Sequence, residues 1–297
     1  MSWFHPQRSQ RRPCERTASV ELRTAFVLSG GGPLGAIQAG QLRAVLEAGI
    51  KPDLIIGVSA GALNGAAIAA APVIETAVML EQTWSRLRRE DVFAGTASAR
   101  AWHLVRRHPN VFDPSGLAAL VAALIHVDDL ADLSVEFEAV TLNLDASRLD
   151  YHRSGNPAAV LLASSALPGM FPPVVIDGDR HVDGGIANNL PLQRARDLGV
   201  TRIIAFDCRA GTDHHLPMHL SALDVVAASF GVARSVLTVR CVGSDVVMLP
   251  APDTTGIAMN DFSHGSRLVT SSYELVARFL ESDAGAVLTD PLRYALV

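Results

Sequence analysis

Aromatic residues are scarce in this chain of 297, where phenylalanine, tryptophan and tyrosine together make up 5%. Proteins that hold single-stranded nucleic acid stack bases on aromatic side chains, and duplex binders need a basic face. The chain offers neither: its net charge is -5 and its pI is near 6.0, so no nucleic-acid partner is expected. Cysteine is sparse as well. Cys14, Cys208 and Cys241 are odd in number and far apart, which fits neither a disulfide framework nor a recognised zinc pattern. Cys208 lies in an apolar run and reads as a core residue. A reducing cytoplasm suits such cysteine usage. Long hydrophobic runs are missing too. The longest, over 24–48, is broken by residues 30–33, Gln38 and Arg43, whereas a membrane-spanning helix needs about 20 apolar residues in succession. The basic N-terminal stretch is not followed directly by an apolar run, so it does not read as a secretory signal.

Alanine, valine, leucine and glycine are abundant instead, and 49% of the chain is hydrophobic against 19% charged. Small side chains let helices pack closely on a sheet, and this length accommodates one large α/β domain. Positive charge gathers at Arg8, Arg11, Arg12, Arg16 and Arg23, among prolines and polar residues. Residues 1–22 therefore read as a flexible basic tail, with transient contact with anionic lipid headgroups as its functional alternative. Residues 23–297 read as a single folded domain.

Along that domain, 25–28 is a short apolar strand that ends in three glycines, followed by a helical pattern over 34–48 that stops at Gly49. A second strand at 53–56 leads through Gly57-Val-Ser-Ala-Gly61 into a helix of small residues over 60–71. Two strand–turn–helix units in succession predict parallel strands with helical crossovers. Residues 72–133 read as mostly helical and form the candidate cap. Strands are predicted at 137–144 and 149–153, a helix at 157–166, and a hairpin of 174–176 with the segment around 181–182, turning at Asp177-Gly178-Asp179. Further strands at 202–206 and 246–249, with helices over 220–240 and 262–280, make 210–297 a C-terminal helical and strand extension.

Gly57-Val-Ser-Ala-Gly61 has the form G-x-S-x-G in the context of strand before and helix after. In such an elbow the serine sits on a strained turn, so its neighbours must be very small, and the helix N-terminus points at the hydroxyl. Ser59 is the candidate nucleophile, supported by Gly57 and Gly61. Gly30-Gly31-Gly32 likewise closes a strand and opens a helix. Its backbone amides could cradle an oxyanion or a phosphate, or the triplet could serve only as a tight turn. The Gly-Lys-Ser/Thr ending of a nucleotide loop is missing, and an elbow 27 residues after Gly32 favours the oxyanion reading. Asp183-Gly184-Gly185 puts a carboxylate between a strand end and two glycines, where it can approach another loop. On its own it reads equally as a solvated turn.

Taken together, these three motifs resemble the patatin-like phospholipase family over roughly residues 24–208. Ala163-Ser164-Ser165-Ala166 with Phe171-Pro172-Pro173, Asn188-Asn189-Leu190-Pro191 and Asp261-Phe262-Ser263-His264 add to the likeness. The resemblance implies a three-layer α/β/α fold with a mostly parallel central sheet and a helical cap. It also implies lipid acyl-ester hydrolysis without cofactor or metal. Its dyad would be Ser59 and Asp183, with an oxyanion hole from Gly30, Gly31, Gly32 and Ala60 and support from Gly57, Gly61, Gly184 and Gly185. Leu34 stands where many relatives carry arginine, which puts headgroup preference in question. A lipid substrate implies peripheral contact with a membrane, at its inner surface for a cytoplasmic protein. Nothing in the sequence bears on oligomeric state.

Two other readings compete. A Ser-Asp-His triad would draw on His214, His215, His219 or His264, which follow Asp183 in the order of α/β-hydrolases. His214 and His215 lie in a polar stretch that reads as a solvated loop, and Asp213-His214-His215 has no recognised metal spacing. His264 reads as a surface or capping residue. Asp128-Asp129, Asp177 and Asp179 read as turn acids. A catalytically silent lipid-binding protein on the same fold is the third possibility.

Overall fold

The computed structural model describes residues 22–94, 112–208 and 243–289. The strand β1 (Thr24–Leu28) leads into α1 (Gly35–Glu47), and β2 (Leu54–Val58) into α2 (Ala60–Ala70). Next come α3 (Ile74–Arg86), the single turn α4 (Arg89–Val92) and α5 (Ser115–Leu124). The chain then alternates as β3 (Glu136–Asn143), β4 (Arg148–His152), α6 (Pro157–Ser164), β5 (Val174–Ile176), β6 (Asp179–Asp183), α7 (Leu192–Asp197) and β7 (Arg202–Phe206). The described chain closes with β8 (Val246–Met248), α8 (Gly265–Glu281) and α9 (Ala286–Thr289).

These strands form one sheet in the order β5-β6-β3-β2-β1-β7-β8, with β4 paired to β3. The run β3-β2-β1-β7-β8 is parallel throughout, while β4, β5 and β6 are antiparallel additions at one end. The fold is thus the α/β architecture with a mostly parallel central sheet that the strand–turn–helix units predict. Crossovers through helices force the parallel pairing, whereas the β5–β6 hairpin needs only a two-residue turn. Asp177 and Gly178 supply that turn with φ of 52° and 94°.

Alternation along the buried strands sorts their residues into two cores. Phe26, Leu28, Ile55, Phe137, Ala139, Ile204 and Phe206 face one helix layer, with Ile37, Leu42, Leu63, Leu80 and Val276. On the other face Ala25, Val27, Leu54, Ile56, Val58, Ile203 and Ala205 meet Leu192 and Ala195 of α7. Helix α3, the first of the 72–133 block, packs on α1 and α8, and so lies in the first of these layers. The later helices of that block pair differently, with α5 against α4 and α6. The segments 1–21 and 95–111, and the predicted helix at 220–240, lie outside the described residues.

Candidate active site

The sheet and its crossovers bring three loops to one point. Ser59 follows the last residue of β2 and precedes α2, with φ of 54° and ψ of -124°. A side chain held in this sparsely populated region is strained, at a cost of about 1–3 kcal/mol, and persists only where the surroundings over-determine it. Small neighbours do so here. A Cβ on Gly57 would lie 2.5 Å from Ala62 Cα, and one on Gly61 would lie 2.6 Å from the carbonyl oxygen of Ser29. The Ser59 N–H donates to Ser164 Oγ at 3.0 Å, and Ser164 in turn donates to the carbonyl of Val140 at 2.8 Å. The elbow is thereby tied to β3. Helix α2 starts immediately after the serine, so its positive end faces the hydroxyl.

Asp183 reaches Ser59 because β3 has two partners in succession on one edge. Val140 pairs with Val58, the last residue of β2, and Thr141 pairs with Asp183, the last residue of β6. The other edge of β3 over the same residues belongs to β4. Strands β2 and β6 therefore meet end to end, and their terminal residues deliver Ser59 and Asp183 to the same place. The Ser59 hydroxyl lies close enough to the Asp183 carboxyl to lower its pKa. Burial in this position pushes the Asp183 carboxyl up to about 6, against the opposing pull of the Ser59 hydroxyl and the Gly185 N–H. That N–H donates to Asp183 Oδ1 at 2.8 Å. Only 5% of Asp183 is exposed.

The glycine loop lies against both. A Cβ on Gly30 would sit 3.0 Å from Ser59 Cβ and 2.6 Å from Asn189 Oδ1, so only glycine admits the serine this closely. Asn189 clamps Gly30 through two 3.1 Å hydrogen bonds, receiving its N–H and donating to its carbonyl. This corrects the expected part of Gly30 as an oxyanion donor, because its N–H is already used. Gly31 and Gly32 differ. Both are half-exposed, and their N–H groups have no acceptor among the described residues. The Ala60 N–H, at the first turn of α2, is likewise unpartnered there. Beneath the loop Gln38 donates to the carbonyls of Ser29 and Phe206 at 2.8 and 3.0 Å. Asn64 donates to Gln38 Oε1 and to the Gly35 carbonyl, both at 3.0 Å, and accepts from Trp84 Nε1 at 2.7 Å. A buried polar network with every member paired rigidifies the loop that it supports.

Of the residues read from sequence, Ser59, Asp183, Gly30, Gly57, Gly61 and Gly185 converge here; Gly184 packs on the Val140 carbonyl. Cys208 is buried as expected, against Gly31. His214, His215 and His219 lie outside the described residues. His264 is half-buried and faces Asp261 at 3.3 Å. No group of three or more His, Cys, Asp or Glu among the described residues is placed to hold a metal ion, and no described helix is long and apolar enough to cross a membrane. Asn189, Ser164, Gln38 and Asn64 were not read as site residues. Their signal was a polar side chain inside an apolar or small-residue stretch, which demands a partner when buried.

The chain is similar to several known proteins. The family described as patatin-like phospholipase matches residues 26–196. Patatin-like phospholipase domain-containing protein 7 of Mus musculus is 32% identical over 205 residues, covering 67% of this chain and 14% of that protein. Lysophospholipase nte1 of Aspergillus terreus is 33% identical over 208 residues, covering 69% of this chain and 12% of that protein. The chain thus spans only 12–14% of the length of these relatives. Among solved structures, VipD from Legionella pneumophila aligns with a TM-score of 0.44 at 15% identity, over 86% of this chain and 67% of that one.

Proposed function

Since the chain belongs to the patatin-like phospholipase family, we propose that it is a serine hydrolase that cleaves fatty-acyl esters of lipids with Ser59 as nucleophile and Asp183 as base. The observation that carries this reading is the convergence of Ser59 and a buried carboxyl, whose basicity burial has raised, at successive residues of one strand edge. A carboxylate at its ordinary pKa near 4 is a poor base towards a serine hydroxyl, and a shift to about 6 narrows that gap.

The reaction follows from the contacts. Asp183 takes the hydroxyl proton as Ser59 Oγ attacks the acyl carbon, and the carbonyl oxygen becomes an oxyanion. The N–H groups of Gly31, Gly32 and Ala60 are the donors available to it, each worth roughly 3 kcal/mol when aimed at the developing charge. Collapse expels the lipid alcohol, which takes the proton from Asp183 and leaves acyl-Ser59. Water then gives a proton to Asp183 and its hydroxide to the acyl carbon. The fatty acid departs as the proton returns to Ser59. The similarity to lysophospholipases favours a lysophospholipid or related glycerolipid as the ester. The described part of the cap we assign to α4 and α5. The reading implies a protein that meets its substrate at a membrane surface, on the cytoplasmic side.

A fluorophosphonate label combined with a lipid-hydrolysis panel tests this. Ser59→Ala should lose both labelling and hydrolysis, and Asp183→Asn should slow both. Retained hydrolysis in Ser59→Ala rejects the nucleophile, and full activity in Asp183→Asn rejects the base. If replacing His214, His215 or His264 abolished activity, the triad reading would stand instead.

A further inference from the structure

A cavity of about 510 Å³ opens between the turn that joins α3 to α4 and the loop before α8. Leu87, Arg88, Arg89 and Glu90 form one wall, and Asn260, Asp261, Phe262 and Ser263 the other. Both walls spring from residues that touch the glycine loop. Met259, directly before Asn260, has its carbonyl oxygen 3.3 Å from where a Cβ on Gly32 would lie. Trp84, three residues before Leu87, packs on Gly35 at the start of α1. Gly30, which touches Ser59, and Gly32, which touches Met259, are two residues apart, so the reacting hydroxyl and the cavity flank the same glycine loop.

Its charges are of both signs, and its two cations lack carboxylate partners among the described residues. Arg89 stands over the rings of Phe93 and Phe112, its guanidinium 5.9 and 5.6 Å from their centroids. Such stacking fixes the plane of the fork and leaves its N–H edge available to pair with a phosphate through two hydrogen bonds. Arg88, beside it, is exposed. Glu90 and Asp261 supply carboxylates, and Asp261 is held by the Ser263 hydroxyl at 2.6 Å. Two cations and two carboxylates lining one cavity match a ligand that carries a phosphate and an ammonium together, and match a bare anion poorly.

We propose that this cavity is a headgroup subsite, in which Arg88 and Arg89 hold the phosphate of a zwitterionic lysophospholipid and Glu90 and Asp261 face its ammonium. The assignment rests on the proposed acyl-hydrolase reading and names the substrate class of that same site. The acyl ester then lies at Ser59, with the glycerol bridging past Gly32. The subsite acts on specificity, because it touches the alcohol portion that leaves and not the acyl carbon.

Two substrates of one short fatty acid, both used below their micellar concentration, separate headgroup binding from chemistry: the lysophosphatidylcholine and the p-nitrophenyl ester. The ratio of their kcat/KM values should fall at least tenfold in Arg88→Gln and again in Arg89→Gln. In Glu90→Gln, preference should move from lysophosphatidylcholine towards the anionic lysophosphatidylglycerol. Glycerophosphocholine should inhibit the p-nitrophenyl reaction competitively and lose potency in the arginine variants. An unchanged ratio, or an equal fall on both substrates, overturns the subsite. So does inhibition by inorganic phosphate as strong as that by glycerophosphocholine, which would indicate a simple anion site. Exposed Arg88 can be replaced without disturbing packing, so its variant decides the matter if Arg89→Gln misfolds. Failure of the acyl-hydrolase reading is seen separately, as hydrolysis of either ester by Ser59→Ala.

Discussion

Asp183 should cost the fold stability for as long as it is ionised, and the amount can be worked out. Its ordinary pKa of 3.8 rises to about 6 in the folded chain because burial disfavours the charged form. Below pH 3.8 both folded and unfolded chains carry the proton, and the group contributes no difference. As pH rises from 3.8 to 6 the unfolded chain ionises first, so folding loses ground over that window and the loss is complete above pH 6. Two pKa units correspond to about 3 kcal/mol. Asp183→Asn keeps an acceptor for the Gly185 N–H and removes the buried charge. It should therefore be more stable than the parent by up to about 3 kcal/mol at pH 8, a gain that shrinks towards zero by pH 4. Urea unfolding at the two pH values measures this, with the midpoint shifting and the slope unchanged. The same variant should lose about 10²–10⁴ in kcat, the usual contribution of a general base. A protein that gives up stability to keep a base buried gains stability when the base is removed. Equal or lower stability of Asp183→Asn at pH 8, or a gain that persists undiminished at pH 4, would refute the claim that desolvation raises this carboxyl.

Two further outcomes follow from the same contacts. The pH profile of kcat/KM should fall tenfold per unit below about pH 6, because Asp183 must be ionised to accept the serine proton; a plateau that continues to pH 5 contradicts this. Asn189→Ala removes both hydrogen bonds on Gly30 and leaves a buried N–H and carbonyl unpaired, which should lower stability by about 1–3 kcal/mol. Its fluorophosphonate labelling rate should fall by about tenfold or more as the loop loses its position against Ser59, and an unaltered rate would show that the clamp does not position the site.

The fold was legible wherever the signal was local. The apolar run at 25–28, the small-residue stretch after Ser59 and the Asp177-Gly178 turn each carry their instruction within a few residues. The observed elements β1, α1, α2 and the β5–β6 hairpin fall within one or two residues of where those signals put them. Helix α7 was missed, since Leu192–Asp197 is too short to show a period. The site was legible as three motifs, but their meeting was not. A motif names a residue type on a turn; which turns face one another depends on strand register, and register is set by packing across the whole sheet. Gln38, Asn64 and Asn189 show the same limit in polar form. Each stands in a stretch where an amide shielded from solvent must find a partner, yet the sequence does not say whether that partner is a loop carbonyl, another amide or a tryptophan.

What joins Ser59 to Asp183 across 124 residues of chain is a single step along β3. Val140 ends the pairing with β2, and Thr141 begins the pairing with β6 on the same edge. Strand β2 must stop at Val58 for β6 to take its place, and it stops because Ser59 turns into the elbow. The strain at Ser59 and the arrival of Asp183 are therefore one structural event. A longer β2 would keep the serine extended and would also deny Asp183 its place in the sheet. The same residue closes the arrangement from behind, since the Val140 carbonyl receives Ser164, which holds the Ser59 N–H. Ser59 and Asp183 need no third residue to bring them together, because the backbone of β3 measures the distance between them.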